Sequence, residues 1–294
     1  MTTKHKGMAL AAAGAAFWGC AGVAAQFVLQ NRGFSPEWLT TVRMLLAGLL
    51  LLIFCRLRGE NITAIWQDSL DKREIIIFSL FGMLMTQYTY YACIHVSNAP
   101  TATTLGYLMP VFIVVYVALR DWQLPTKREM FCVFLAVVGS AVLVTRGDFG
   151  TLAITPMALC LGLTTGASQA VYTLQPRRLL TIYSPELVVG WGVLLGGIFF
   201  TPIAQPWHFC GIMDMAAALS FAYIVVGGTV FAFVLYMASL RLVGPSDAAM
   251  TSCIEPAASV VVSGLVLDVT FGPAETLGMM MILTAIYILA RQKD

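Results

Sequence analysis

Residues 36–58 read PEWLTTVRMLLAGLLLLIFCRLR. Between Pro36 and Cys55 the run holds one acid, Glu37, and one base, Arg43, and it stops on Arg56-Leu57-Arg58-Gly59. About 20 predominantly apolar residues, rising about 1.5 Å each, cross the hydrocarbon core of a bilayer. This segment therefore reads as a transmembrane helix, and the fold follows from how often such a segment recurs.

It recurs along the whole chain. Apolar runs fall at approximately 7–29, 36–55, 74–93, 99–119, 129–146, 153–175, 185–204, 216–239, 245–266 and 274–291. Turn residues and charges separate them, including Asn31-Arg32-Gly33, Asn98-Ala99-Pro100, Leu124-Pro125, Arg146-Gly147-Asp148, Gln205-Pro206, Gly244-Pro245 and Gly272-Pro273. Only 11% of the 294 residues are charged and 59% are hydrophobic, with a mean hydropathy of +0.83. A soluble domain carries roughly 25% charged residues, so the solvent for most of this chain is lipid. Lys4-His5-Lys6 ahead of the first run resembles a secretory signal, but the run is long enough to span and reads as an uncleaved helix. The expected fold is all-α and integral to the membrane, with ten transmembrane helices.

Lysine and arginine set the orientation. With the N-terminus cytoplasmic, fourteen of them fall in inner segments, Arg32 and Arg146 fall in outer ones, and Arg43 lies within a span. A shift of one in the span count would scramble that segregation. Both termini are therefore expected inside, in the cytoplasmic (inner) membrane. A net charge of +2 gives no reason to expect nucleic acid. Seven scattered cysteines without a CxxC pair support neither a disulfide framework nor a metal site.

The halves resemble each other. Ser35-Pro36-Glu37 returns as Ser184-Pro185-Glu186, 149 residues later, and Gly48 matches Gly197 at the same offset. At an offset of 146, Gly82 matches Gly228, Tyr90 matches Tyr236, Ala92 matches Ala238 and Pro110 matches Pro256. Residues 1–146 and 147–294 thus read as two five-helix repeats. An odd number of spans inserts the second repeat upside down, which is the mechanical basis of alternating access in many carriers.

The motifs also carry a family likeness. Ala16-Phe17-Trp18-Gly19 in the first span, Arg43 in the second, Leu108-Met109-Pro110 in the fourth and Ile254-Glu255-Pro256 in the ninth resemble the EamA-like family of the drug/metabolite transporter superfamily. The likeness covers essentially the whole chain, with Asp121 and Asp268 standing where the family often has Glu. It implies transport of small organic metabolites with no bound cofactor, and export by family habit.

Candidate residues follow from what lipid tolerates. Pro110 and Pro256 lie mid-span and deny a hydrogen bond to the carbonyls of Gly106 and Ser252, which must find other partners or face a wet cavity. Glu255, near the midplane, should face protein or water. Its readings are proton carrier, partner for a cationic solute, or neutral acid bonded to loosened backbone. Arg43 could clamp a carboxylate, pair with Glu255 or snorkel toward headgroups. Gln87, Tyr88, Tyr91 and His95 recur at helical spacing and read as one polar face. Trp18 and Gln26 in the first span, and Gln169 and Tyr172 in the sixth, are candidates to line the same cavity, whereas Trp66, Trp122 and Trp207 read as interfacial anchors.

The expected function is a secondary transporter for an amino acid, an amine or a drug-like amphipath. Its partners are the solute, the lipid bilayer and, as a candidate coupling ion, protons; a monomer would suffice. A channel, or a scaffold or receptor that transports nothing, is the alternative. HExxH, GxSxG and paired intramembrane aspartates are missing from the sequence, so an enzyme is not expected.

Overall fold

The computed structural model describes residues 3–122, 125–148, 153–240, 242–243, 251–252 and 254–290. Among them there are helices and no strands. Helix α1 (Thr3–Gln26) runs into a π-helical turn (Phe27–Asn31), and α2 spans Pro36–Leu57. Then α3 (Ser69–Ile77), a π-helical segment (Phe78–Leu84) and α4 (Met85–Val96) form one continuous rod. The predicted fourth span is present and carries an internal break between α5 (Ala99–Gly106) and α6 (Met109–Asp121); α7 (Lys127–Thr145) follows.

The second half repeats this order. It comprises α8 (Pro156–Leu174), a short α9 (Leu179–Ile182), α10 (Pro185–Ala204) and α11 (Met215–Ala222). A π-helical segment (Tyr223–Phe231) leads from α11 into α12 (Ala232–Leu240), and α13 (Ile254–Leu267) and α14 (Pro273–Ala290) complete the chain. Among the described residues, seven helical stretches are long and apolar enough to cross a membrane: 3–31, 36–57, 69–96, 99–119, 127–145, 185–204 and 215–236. Helix α8 occupies the predicted sixth span, and shorter apolar helices occupy the ninth and tenth. The start of the predicted ninth span, the Gly244-Pro245 break, Leu124 and the Asp121 side chain lie outside the described residues.

Local chemistry explains the starts. Ser35 and Ser184 accept hydrogen bonds from the backbone N–H of Trp38 (3.1 Å) and Leu187 (3.3 Å), with proline next in line. Asp68 and Asp214, 146 residues apart, cap α3 and α11 in the same manner. The two π-helical segments also coincide at that offset, around Gly82 and Gly228.

Packing between the halves is reciprocal. Helix α2 lies along α10, and α7 along α14. A Cβ on Gly48 would stand 2.6 Å from the backbone nitrogen of Leu194, and one on its mate Gly197 would stand 3.0 Å from that of Leu45. Only glycine allows backbones this close. Likewise α1 packs against α12 and α13, while α8 packs against α4 and α5. Outward faces carry Leu49, Ile53, Phe131, Phe134, Ile203, Val261 and Leu265, each roughly half exposed or more. A water-facing surface would not gather such a belt. This is a multi-pass membrane protein.

Candidate transport site

The break between α5 and α6 falls at Tyr107-Leu108, just ahead of Pro110. There the ladder tightens: Leu108 N–H donates to Leu105 O and Val111 N–H to Leu108 O. The turn places the Tyr107 hydroxyl against α13, where it donates to the Ser252 carbonyl at 2.8 Å and to Glu255 Oε2 at 3.1 Å. Pro256 denies Ser252 its helical partner, and the broken helix of the other half supplies a replacement. The carbonyl freed in one repeat is thus answered by the kink of the other.

Helix α1 closes over this junction. A Cβ on Gly19 would lie 2.5 Å from the Glu255 carbonyl, and one on Gly22 would lie 2.6 Å from the Tyr90 hydroxyl. Tyr90 shares a hydrogen bond of 2.9 Å with Thr103. Trp18 packs edge-on against Phe233 and beside Tyr236, at 5.3 and 5.4 Å between ring centroids. Gly106 faces the Gln169 amide, 3.4 Å from where a Cβ would sit. Tyr172 stacks on Phe78, and the neighbouring Thr173 hydroxyl reaches Met109 Sδ at 3.1 Å.

Arg43 neither snorkels nor pairs with a carboxylate among the described residues. It is 6% exposed and donates to Thr229 Oγ1 at 3.1 Å and to Gln87 Oε1. Its guanidinium lies 5.0 Å over the Tyr91 ring, and its Nε has no partner. An arginine buried among neutral groups retains its full charge and part of its donor capacity.

The predicted polar stripe divides. Gln87 and Tyr91 turn toward Arg43. Tyr88 instead donates to Glu37 Oε1 at 2.9 Å and packs on Phe200. With His95, it lines a cavity of about 450 Å³ that also touches Glu37, Ala92, Met157 and Leu161. The four side chains fan over about 100° of the helix, and the two ends of that arc meet different neighbours. Gln26 does not line that cavity: its Oε1 accepts from the Ala99 N–H at 2.8 Å and satisfies the start of α5. Trp66 is also no simple anchor, since it packs edge-on against Trp191; Trp122 and Trp207 are well exposed.

Charged contacts tie the halves together at both faces. On the face where α1 ends, Arg32 Nε lies 2.8 Å from Asp214 Oδ2, and Arg146 lies 2.8 Å from Glu275. At the opposite face, Arg178 lies 2.6 Å from Asp71 and 3.2 Å from Glu74, while Arg58 approaches Glu186 at 3.5 Å. The backbone N–H of Ala217 and then the Arg32 guanidinium hold the Asp214 carboxyl below the usual carboxylate range. Tyr183 donates to Asp71 Oδ2 at 2.6 Å, and that bond pushes its phenol up to about 12.

The sequence model of the EamA-like transporter family matches residues 5–145 and, separately, residues 156–291. The chain belongs to this family. It is 34% identical over 292 residues to the uncharacterized inner membrane transporter YicL of Salmonella typhimurium, an alignment covering 99% of this chain and 97% of that protein. A crystal structure at 14% identity has the same fold, with a TM-score of 0.62 over 99% of this chain and 97% of that one.

Within this EamA-family chain, sequence reading singled out Glu255, Arg43 and both prolines as candidates; the structure joins Glu255 to the Pro110 break through Tyr107 and gives Arg43 to Thr229 and Gln87. It missed Tyr107, Tyr90, Thr229 and Glu37. Tyr107 carried a usable signal, because it lies between Gly106 and Pro110, where a broken helix turns a side chain inward. Thr229 carried none, since its meeting with Arg43 depends on how two distant spans are rotated.

Proposed function

We propose that this EamA-family protein is a secondary transporter of the cytoplasmic membrane. Ten spans, as two inverted repeats at 1–146 and 147–294 with both termini inside, would move a small organic solute by alternating access, in the export direction. The solute class is an amino acid, an amine or a drug-like amphipath. Supporting the repeats are the two separate family matches, the reciprocal Gly48 and Gly197 contacts and the coincident π-helical segments.

The observation that carries the reading is Tyr107 bridging Ser252 O and Glu255 between the helices bearing Pro110 and Pro256. One hydroxyl proton faces two acceptors. A proton on Glu255 would supply the second bond, and its loss would leave Tyr107 to serve only one acceptor well. Protonation at Glu255 therefore changes how α5, α6 and α13 are held together, which is the coupling a proton-driven cycle requires. Trp18, Gln87, Tyr88, Tyr91, Gln169 and Tyr172 remain the proposed substrate contacts, Arg43 a charge for a carboxylate, and Gly106, Pro110, Ser252 and Pro256 the bending points.

In this reading the Arg32–Asp214 and Arg178–Asp71 pairs, both formed, serve as the outer and inner gates. The test is a metabolite screen with purified protein in vesicles, with and without a pH gradient. A solute whose saturable flux follows the gradient, and loses that dependence in Glu255→Gln, is expected. Normal transport with an unchanged pH profile in Glu255→Gln removes the proton role.

A further inference from the structure

Glu37 and Glu186 are repeat mates, each in the first turn of a helix opened by Ser-Pro-Glu. The duplication makes them internal controls for each other. Each gains from the positive end of its own helix. Glu186 has in addition a cation, Arg58 at 3.5 Å. The residue that matches Arg58 at the same offset of 149 is Trp207, so the second half returns no cation to Glu37.

Among the described residues Glu37 has no ion pair, and its carboxylate accepts only the Tyr88 hydroxyl at 2.9 Å. The arginines near that face, Arg32 and Arg146, are held by Asp214 and Glu275. Where Glu37 lacks a counter-ion the structure has space, the cavity of about 450 Å³. Its polar side is Glu37, Tyr88 and His95, and its apolar side includes Ala92, Met157 and Leu161.

We propose that this cavity is a binding site for an organic monocation with an apolar body, an amine or quaternary ammonium, whose charge pairs with Glu37. The chemistry selects that class. A single carboxylate balances one positive charge, the Tyr88 hydroxyl holds that carboxylate in place, and Leu161 and Met157 take the hydrocarbon. An anion would meet the Glu37 carboxylate itself. Glu255 is not part of its lining, whereas Tyr88 is shared with the proposed substrate contacts, so binding here is read directly, without a transport cycle.

Calorimetry on the full chain in nanodiscs tests this with 2-phenylethylamine and its uncharged counterpart 2-phenylethanol, corrected for empty nanodiscs. The Glu255→Gln background removes the central carboxylate as a competing site. Saturable amine binding in that background is expected, weakened roughly tenfold or more by adding Glu37→Gln, with phenylethanol unaffected. Glutamine still accepts from Tyr88, so the fold should persist; Leu161→Trp, which fills the apolar side, should weaken both ligands. Amine binding that is absent in the Glu255→Gln background, or undiminished by both Glu37→Gln and Leu161→Trp, overturns the proposal.

Discussion

Arg178 stands 2.6 Å from Asp71 and joins the segment after α8 to the first turn of α3 in the other half. Arg32, exactly one repeat offset of 146 residues earlier, joins the end of α1 to Asp214 at the start of α11. A corresponding crossing is therefore made at each face, although Arg178 pairs with Asp71, three residues beyond Asp68, the repeat mate of Asp214. In an inverted pair of repeats, opening one crossing while keeping the other interconverts two equivalent packings.

The two crossings should have opposite effects when cut. Arg178→Gln should favour a state open at its own face, and Arg32→Gln the reverse. Both arginines are partly exposed, so population changes of about two- to fivefold are expected. Pulsed EPR between labels at residues 63 and 181, and between labels at 31 and 213, reads them separately. Each variant should lengthen only the distance at its own face. If both variants lengthen the same distance, the crossings are not reciprocal gates.

Acid should open the Arg32 crossing. The Asp214 carboxyl is held below its ordinary value by the Ala217 N–H and Arg32. A depressed folded value means the stabilisation is present above the unfolded value, about 3.9, and is lost as pH falls through the folded value. The 31–213 distance should stay constant from pH 7 to about pH 5 and lengthen only below about pH 4. Asp214→Asn should show the long distance at neutral pH.

Tyr107→Phe removes the donor to Ser252 O and Glu255 while keeping the ring. A loss of about 1 kcal/mol in stability is expected, since intramembrane hydrogen bonds are worth about that or less. Transport should fall much further than stability and show an altered pH profile. A variant destabilised yet normal in transport and pH dependence would make Tyr107 a structural tie only.

Gly48→Ala tests the reciprocal contact. Its Cβ would sit 2.6 Å from Leu194 N, a backbone atom, so α2 and α10 must separate. A cost of about 1–3 kcal/mol is expected in thermal unfolding, and a smaller one for Gly197→Ala, whose Cβ would stand 3.0 Å from Leu45 N. A neutral Gly48→Ala would show that the helices are not held that closely.

Much of this was legible because lipid constrains sequence strongly. Run length gave the helices, and Ser-Pro-Glu announced both α2 and α10 through its cap. The prolines announced that Ser252 O needed a partner, but not which one. Tyr107 is 145 residues away, and periodicity fixes a helical face without fixing what stands opposite it. For the same reason the Gln87–His95 stripe was read as one surface when it serves two. The π-helical segments were invisible for another reason: their extra residue per turn changes the facing of everything beyond them without altering composition.

Exchange in proteoliposomes tests the carrier account most directly. Vesicles loaded with a transported solute should take up labelled solute faster than empty ones, with a rate that saturates, because a loaded site returns through the alternate packing. A linear, conductive flux that ignores solute on the far side would contradict two inverted repeats alternating about a shared site.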